Sequence, residues 1–220
     1  MEKNTIKVLM VDDNVSLVEM IKEYFKNSDK IKIALEAYDG KEGIEVIESK
    51  QNEYDIIIID TPGTFSHLSN AGHKNADILL TPVNDSLVDI DVLANIDPNT
   101  KEIISESQYT ENIRNIQKKR AELGKDELFW IVLRNRISHI DAKNKREVDS
   151  ILKQLQDKIG FTYTSGIGER VVYREMFLKG LTILDLLKIG DTEISISHIA
   201  AKNELLTVLN TINIPLKQEI

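Results

Sequence analysis

Four consecutive isoleucines, Ile56–Ile59, lie between Asp55 and Asp60. An apolar run of strand length, cut off by charges at both ends, reads as a strand buried on both faces, which is how a strand inside a parallel sheet looks. Asp60 would then emerge at the carboxyl edge of that sheet, where ligand sites of open α/β folds collect. The segments before it fit this picture. IKVLMV at 6–11 is a short apolar run, and Asn14 is a good cap for an amphipathic helix over 15–27. IKIALEA at 31–37 alternates as a strand does, Asp39-Gly40 is a turn, and 41–50 read as a helix.

A β-α-β-α-β order requires parallel strands joined by crossovers. The alternation continues with a helix near 66–75, a strand at 76–83, a long charged helix at 107–123 and a strand at 129–136. Then come a helix at 142–158, a strand at 160–166, a helix at 168–178 and a last helix at about 197–212. Only 95–106, with Asp97-Pro98-Asn99, reads as irregular. The predicted fold is α/β: a doubly wound, mainly parallel sheet with helices on both faces, a Rossmann-like three-layer sandwich. The expected organisation is a first half, 1–60, packed with a second half, 61–220, as one continuous domain.

At 220 residues the chain is long enough to bury a substantial core. No apolar run approaches the roughly 20 residues of a spanning helix, and MEKNTIKV has no secretory signal character. Lack of cysteine excludes disulfide and thiolate chemistry and suits a cytoplasmic protein. Net charge is −8, unevenly spread: residues 61–112 carry 2 basic and 8 acidic groups, residues 113–180 carry 15 and 9. Such an asymmetry marks either a polyanion-facing surface or a solvated helix face.

Residues 5–60 resemble the first half of a response-regulator receiver domain of the sporulation type, through KVLMVDDN, AYDGKEGIE and YDIIIID. The resemblance implies that Asp60 is a phospho-acceptor and that Asp12, Asp13 and Asp60 bind Mg²⁺. Clustered carboxylates need a divalent cation to neutralise them, and their oxygens suit Mg²⁺. A phosphoryl donor would be the partner, and Thr81, which ends a strand, would stand near the place of the receiver's switch Thr. The later receiver pattern is absent: Pro62 follows Asp60 too soon, and no Lys-Pro follows the next apolar strand.

From Asp55 onward the chain resembles the MipZ branch of the ParA family of deviant P-loop ATPases, which position the division plane. The residues are DIIIIDTPGT, ADILLTPVNDSLVDIDVLANIDP, LFWIVLRNRISHIDAKNKR, GERVVYREMFLKGLTILDLL and ISHIAAKNEL. In that reading Asp60 is the Walker B carboxylate on Mg²⁺, and Thr61, Pro62 and Gly63 form the loop that senses the γ-phosphate. Asn135 and Arg136 would line the base of ATP, and a division or partition protein would be the partner. A phosphate cradle needs glycines and a Lys after the first strand. Here that turn is VDDNVSL, and no glycine precedes Gly40. The sequence therefore predicts no hydrolysis by the family mechanism, and the chain reads as a hybrid joined inside DIIIID.

The basic third quarter includes Lys118, Lys119, Arg120, Arg134 and Arg136. The resemblance implies non-specific DNA binding, with Lys143, Lys145, Arg146, Arg170 and Arg174 as the DNA-facing set. The interleaved Glu147, Asp149, Glu169 and Glu175 offer the alternative of surface ion pairs. His67, His73, His139 and His198 have no metal-ligand spacing and read as surface or capping residues. Phe129 and Trp130 read as core.

Overall fold

A computed structural model describes residues 5–12, 14–37, 40–50, 53–61, 63, 66–138, 142–178, 180–188 and 194–213. The chain divides into two compact units, Met1–Ala76 and Asp77–Ile220.

The first unit runs β1 (Ile6–Val11), α1 (Val15–Phe25), β2 (Ile31–Ala37), α2 (Gly40–Lys50), β3 (Ile56–Ile59) and α3 (His67–Asn75). Its strands are parallel in the order β2-β1-β3. Alternate side chains of a strand point to opposite faces, and β1 uses both. Val8 and Met10 pack with Val18 of α1 and with Ile31, Ile33 and Ile56. Leu9 and Val11 pack with Val46 of α2 and with Tyr54, Ile57 and Ile59. The sheet is thus covered by helices on both sides, but β3 is less buried than its four isoleucines predict: Ile58 is 50% exposed. Each fully buried aliphatic contributes roughly 1.5–3 kcal/mol.

Two close approaches set the helix positions on the second face. A Cβ on Gly43 of α2 would stand 2.6 Å from Val11 Cγ1, and one on Gly72 of α3 would stand 3.2 Å from Thr61 Cγ2. α3 packs with α2 and so falls within the first unit, which ends at Ala76.

The second unit opens with β4 (Ile78–Asn84), α4 (Leu87–Ile90), β5 (Ala94–Ile96) and β6 (Ile103–Glu106). It continues with α5 (Gln108–Glu122), β7 (Phe129–Asn135), α6 (Ala142–Ile159), β8 (Thr162–Thr164) and α7 (Val171–Leu178). A 3₁₀ segment, Ile183–Lys188, and α8 (Ile196–Ile212) close it. Strands β4-β7-β8 form a parallel sheet, and β5 and β6 form a separate antiparallel pair.

That pair corrects the irregular reading of 95–106. The Asp97 carboxylate accepts the N–H groups of Asn99 and Thr100 at 2.8 and 2.9 Å, closing the turn that folds β6 back on β5. Trp130 is core, as expected, whereas Phe129 is exposed at the start of β7. The Trp130 indole N–H donates to Thr81 Oγ1 at 3.0 Å, and its ring meets Tyr109 and Phe161 edge-on.

Candidate functional site

The carboxyl edge of the first unit's sheet carries the acidic residues. β1 and β3 pair up to Val11 and Ile59, and the Asp60 N–H continues the ladder by donating to the Val11 carbonyl at 2.8 Å. Asp12 and Asp60 therefore leave neighbouring strands at one rim. They differ in exposure: Asp12 is 6% exposed and Asp60 is open to solvent. The Asp12 carboxylate accepts the Asn14 N–H at 2.8 Å, and the Asn14 side chain accepts the Leu17 N–H at 3.1 Å, which caps α1. Asp55, at the opposite end of β3, instead accepts the Lys7 N–H and fixes the amino edge.

Asp13 lies outside the described residues, so the expected metal trio is represented by Asp12 and Asp60. Among the described residues no group of three or more His, Asp or Glu side chains is placed to hold a metal. The Asp12/Asp60 pair is an oxygen donor set of the kind Mg²⁺ takes. In the loop that follows, Pro62 lies outside the described residues and Thr61 is half-buried. Gly63 is exposed, with open space where a Cβ would sit.

Thr81 sits inside the second unit. Its buried hydroxyl bonds Tyr109 Oη at 2.8 Å and receives the Trp130 N–H, so it braces the aromatic core. Asn135 ends β7 and Arg136 follows it. Asn135 pairs in register with Asn84, and Arg136 is exposed in a left-handed conformation with φ 51°.

Beside them is a buried polar network that sequence reasoning missed. Arg134, named above in the basic third quarter, is 2% exposed and pairs with Asp85 just beyond β4, whose side chain is 5% exposed. Its guanidinium lies 3.7 Å from Asp149 of α6, which also receives the Tyr163 hydroxyl at 2.8 Å and Lys153 at 2.7 Å. Burial and the Asp149 bond lift the Tyr163 hydroxyl to about 12, so it stays a donor. Burial pushes Asp149 up, but bonds from Lys153 and Tyr163 and the nearby cations outweigh it and hold the carboxyl below its usual value. The available signal was Arg134 itself, on the same strand face as Trp130 and Val132: a cation there needs a buried anion.

The proposed DNA-facing set separates in the structure. Lys145 and Arg146 of α6 and Arg174 of α7 are exposed, while the Lys143 side chain lies outside the described residues. Arg170 is held by Glu204 of α8, with Nη2–Oε1 at 2.5 Å and Nε–Oε2 at 3.2 Å, and its Nη1 donates to Ser197. The same carboxylate receives the Gly168 N–H. Arg170 is therefore a strut between the β8–α7 loop and α8. Arg120 is likewise buried, donating to the Asp126 carbonyl and facing Asp77. Of the interleaved acids, Glu147 pairs with Lys101. His198 is a capping residue, bonded to Ser195 at the start of α8, whereas His73 is buried and its pKa is lowered by that burial.

Among solved structures, MinD from Aquifex aeolicus is 16% identical, with 98% of this chain and 86% of that one covered and a TM-score of 0.47. MinD with Mg-ADP from Pyrococcus horikoshii OT3 is 16% identical over 94% of this chain and 81% of that one, with a TM-score of 0.46. The response-regulator domain of Thermotoga maritima CheB is 12% identical over 96% and 98%, with a TM-score of 0.24. These scores are too low to carry an argument. The assignment rests on the family model described as ATPase MipZ, which matches residues 7–216. That match starts near the beginning of β1, so it spans nearly all of the segment read above as receiver-like and continues past Asp55 to residue 216. The chain belongs to the MipZ ATPase family.

Proposed function

We propose that the protein is a regulator of division-site placement or chromosome partitioning that rides on DNA without sequence preference. The observation that carries this is the family match over 7–216. Exposed Lys145, Arg146 and Arg174 support it, with Lys143 joining them in sequence. Cations of this kind bind phosphates and release counterions, so affinity falls with salt at a slope of about −0.9 per phosphate neutralised. Four contacts give a slope near −3.6, roughly a hundredfold loss between 50 and 200 mM salt. Retention on random duplex DNA across that range tests the reading. Lys145→Glu, Arg146→Glu and Arg174→Glu together should abolish retention. A flat salt response, or retention unchanged by the triple substitution, refutes it.

A second reading is favoured by the β2-β1-β3 order and by the pairing of a buried Asp12 with an exposed Asp60 on neighbouring strands. In it Asp60 is a phospho-acceptor. Its carboxylate oxygen attacks the phosphorus of a small acyl phosphate; the new O–P bond forms as the donor's P–O bond breaks, and the donor leaves as its carboxylate. Mg²⁺ held by Asp12, Asp13 and Asp60 would neutralise the phosphoryl oxygens. Asp12 is fixed for this by the Asn14 N–H, while the exposure of Asp60 admits the donor. Beryllium fluoride with Mg²⁺ should shift amide resonances of β1 and β3 in the parent and not in Asp60→Asn. Equal responses from the two proteins reject the acceptor role.

A further inference from the structure

We infer that this member of an ATPase family does not hold a nucleoside triphosphate at its first strand–helix junction, and that its action is independent of ATP. The inference rests on the family assignment, because only that assignment leads one to expect the nucleotide there. A phosphate cradle is a loop long enough to wrap the anion, with glycines that let several N–H groups turn inward and a Lys that reaches the outer phosphates. Here β1 ends at Val11 and α1 begins at Val15, leaving three residues, Asp12, Asp13 and Asn14, with neither glycine nor Lys among them.

Two of the N–H donors at this helix start are already engaged by side chains. The Asn14 N–H points to Asp12 Oδ1 at 2.8 Å, and the Leu17 N–H to Asn14 Oδ1 at 3.1 Å. Where a cradle presents N–H groups and an ammonium, this junction presents a buried carboxylate. The turn is also pinned from both sides of the sheet. Val18, one helical turn in, is wholly buried with Val8 and Met10. On the opposite face Gly43 brings α2 against Val11 so closely that a Cβ would meet it at 2.6 Å. Opening a loop between β1 and α1 would draw Val18 out of that cluster and break the Asp12–Asn14–Leu17 chain of bonds.

The test uses the full chain. Mg·ATP and Mg·ADP are titrated calorimetrically into the millimolar range, thermal unfolding is followed with and without them, and phosphate release is measured at steady state. The expected result is no saturable binding, an unchanged melting temperature and phosphate release no faster than in buffer. Saturable binding with a dissociation constant below about 1 mM that Asp12→Arg strengthens or abolishes overturns the inference, as does measurable turnover. Binding indifferent to Asp12→Arg lies away from the junction and upholds the claim about it. DNA retention should be the same with and without Mg·ATP, and retention that appears only with ATP also overturns the inference. Absence of retention under every condition rejects the DNA-riding reading and leaves the nucleotide result to be judged from the titration alone.

Discussion

Gly166 gives the most discriminating test of the second unit's packing. The loop after β8 turns back on β7 there, with Gly166 at φ +82°. A Cβ at that position would lie 1.9 Å from the Arg134 carbonyl oxygen and 2.6 Å from its carbon. Both atoms are backbone, so no side chain can swing away to make room. The obvious relief is for the loop to lift off β7. That breaks the Ile167 N–H bond to the Arg134 carbonyl, 2.9 Å long, and strains the neighbouring bridge between Ile137 and Gly168. For Gly166→Ala the left-handed backbone costs about 1–2 kcal/mol, overpacking about 1–3 and the lost hydrogen bond about 0.5–1.5. The sum, roughly 3–6 kcal/mol, is a large part of a typical stability of about 5–15. Gly160→Ala is the control: its φ is +95°, yet a Cβ would meet nothing within 4 Å. Only the conformational cost of about 1–2 kcal/mol should appear there. Trp130, buried and the chain's one tryptophan, reports unfolding of this unit in urea by its fluorescence. Equal midpoints for the two variants would refute the steric argument.

Three further outcomes are expected. Arg134→Met leaves the Asp85 carboxylate buried without its cation and should cost about 3–5 kcal/mol; Arg134→Met with Asp85→Leu should recover at least half of that in the same urea assay. Gly43→Val drives a side chain into Val11 and should cost the first unit about 1–3 kcal/mol, whereas Gly63→Ala should be near neutral, both read by circular dichroism during denaturation. Asp149 titrates below its usual value in the fold. Its contribution is therefore complete above the unfolded pKa of about 3.9 and is lost as pH falls through the folded value. Stability of the parent should drop more steeply than that of Asp149→Asn as pH is lowered below about 4.

Much of the fold was legible because both of its periodicities are strong. β2 was read with its observed bounds, and α1, α5, α6 and α8 were found to within a residue or two at each end. The β5–β6 hairpin was not. Its strands are three and four residues long, too short to show alternation, and the turn residues Asp97, Pro98 and Asn99 dominated the reading. Of the candidate sites, the adjacency of Asp12 and Asp60 could be foreseen because strand order alone determines it. The fates of Arg134 and Arg170 could not, because a basic residue's spacing does not say whether a carboxylate waits for it. Glu204 lies on a helix far along the chain from Arg170, and Asp85 follows a strand that meets β7 only through the sheet.

On the inference drawn above, family resemblance and phosphate chemistry separate in this chain along a physical line. Apolar patterning runs through the strands and helices of the whole chain and is fixed by packing. Phosphate chemistry at the first junction depends on far fewer residues, chiefly the glycines and the Lys of a single turn. Replacing that turn by Asp12, Asp13 and Asn14 leaves Val8, Met10 and Val18 in contact, so the sheet and its covering helix survive the change. Restoring a cradle would therefore take more than a lysine. Asp12→Lys alone removes the carboxylate bonded to the Asn14 N–H but still leaves three residues between β1 and α1. It should weaken the start of α1 without creating affinity for ATP. Tight Mg·ATP binding by that single variant, measured calorimetrically, would show that charge and not loop length decides whether the nucleotide is held there.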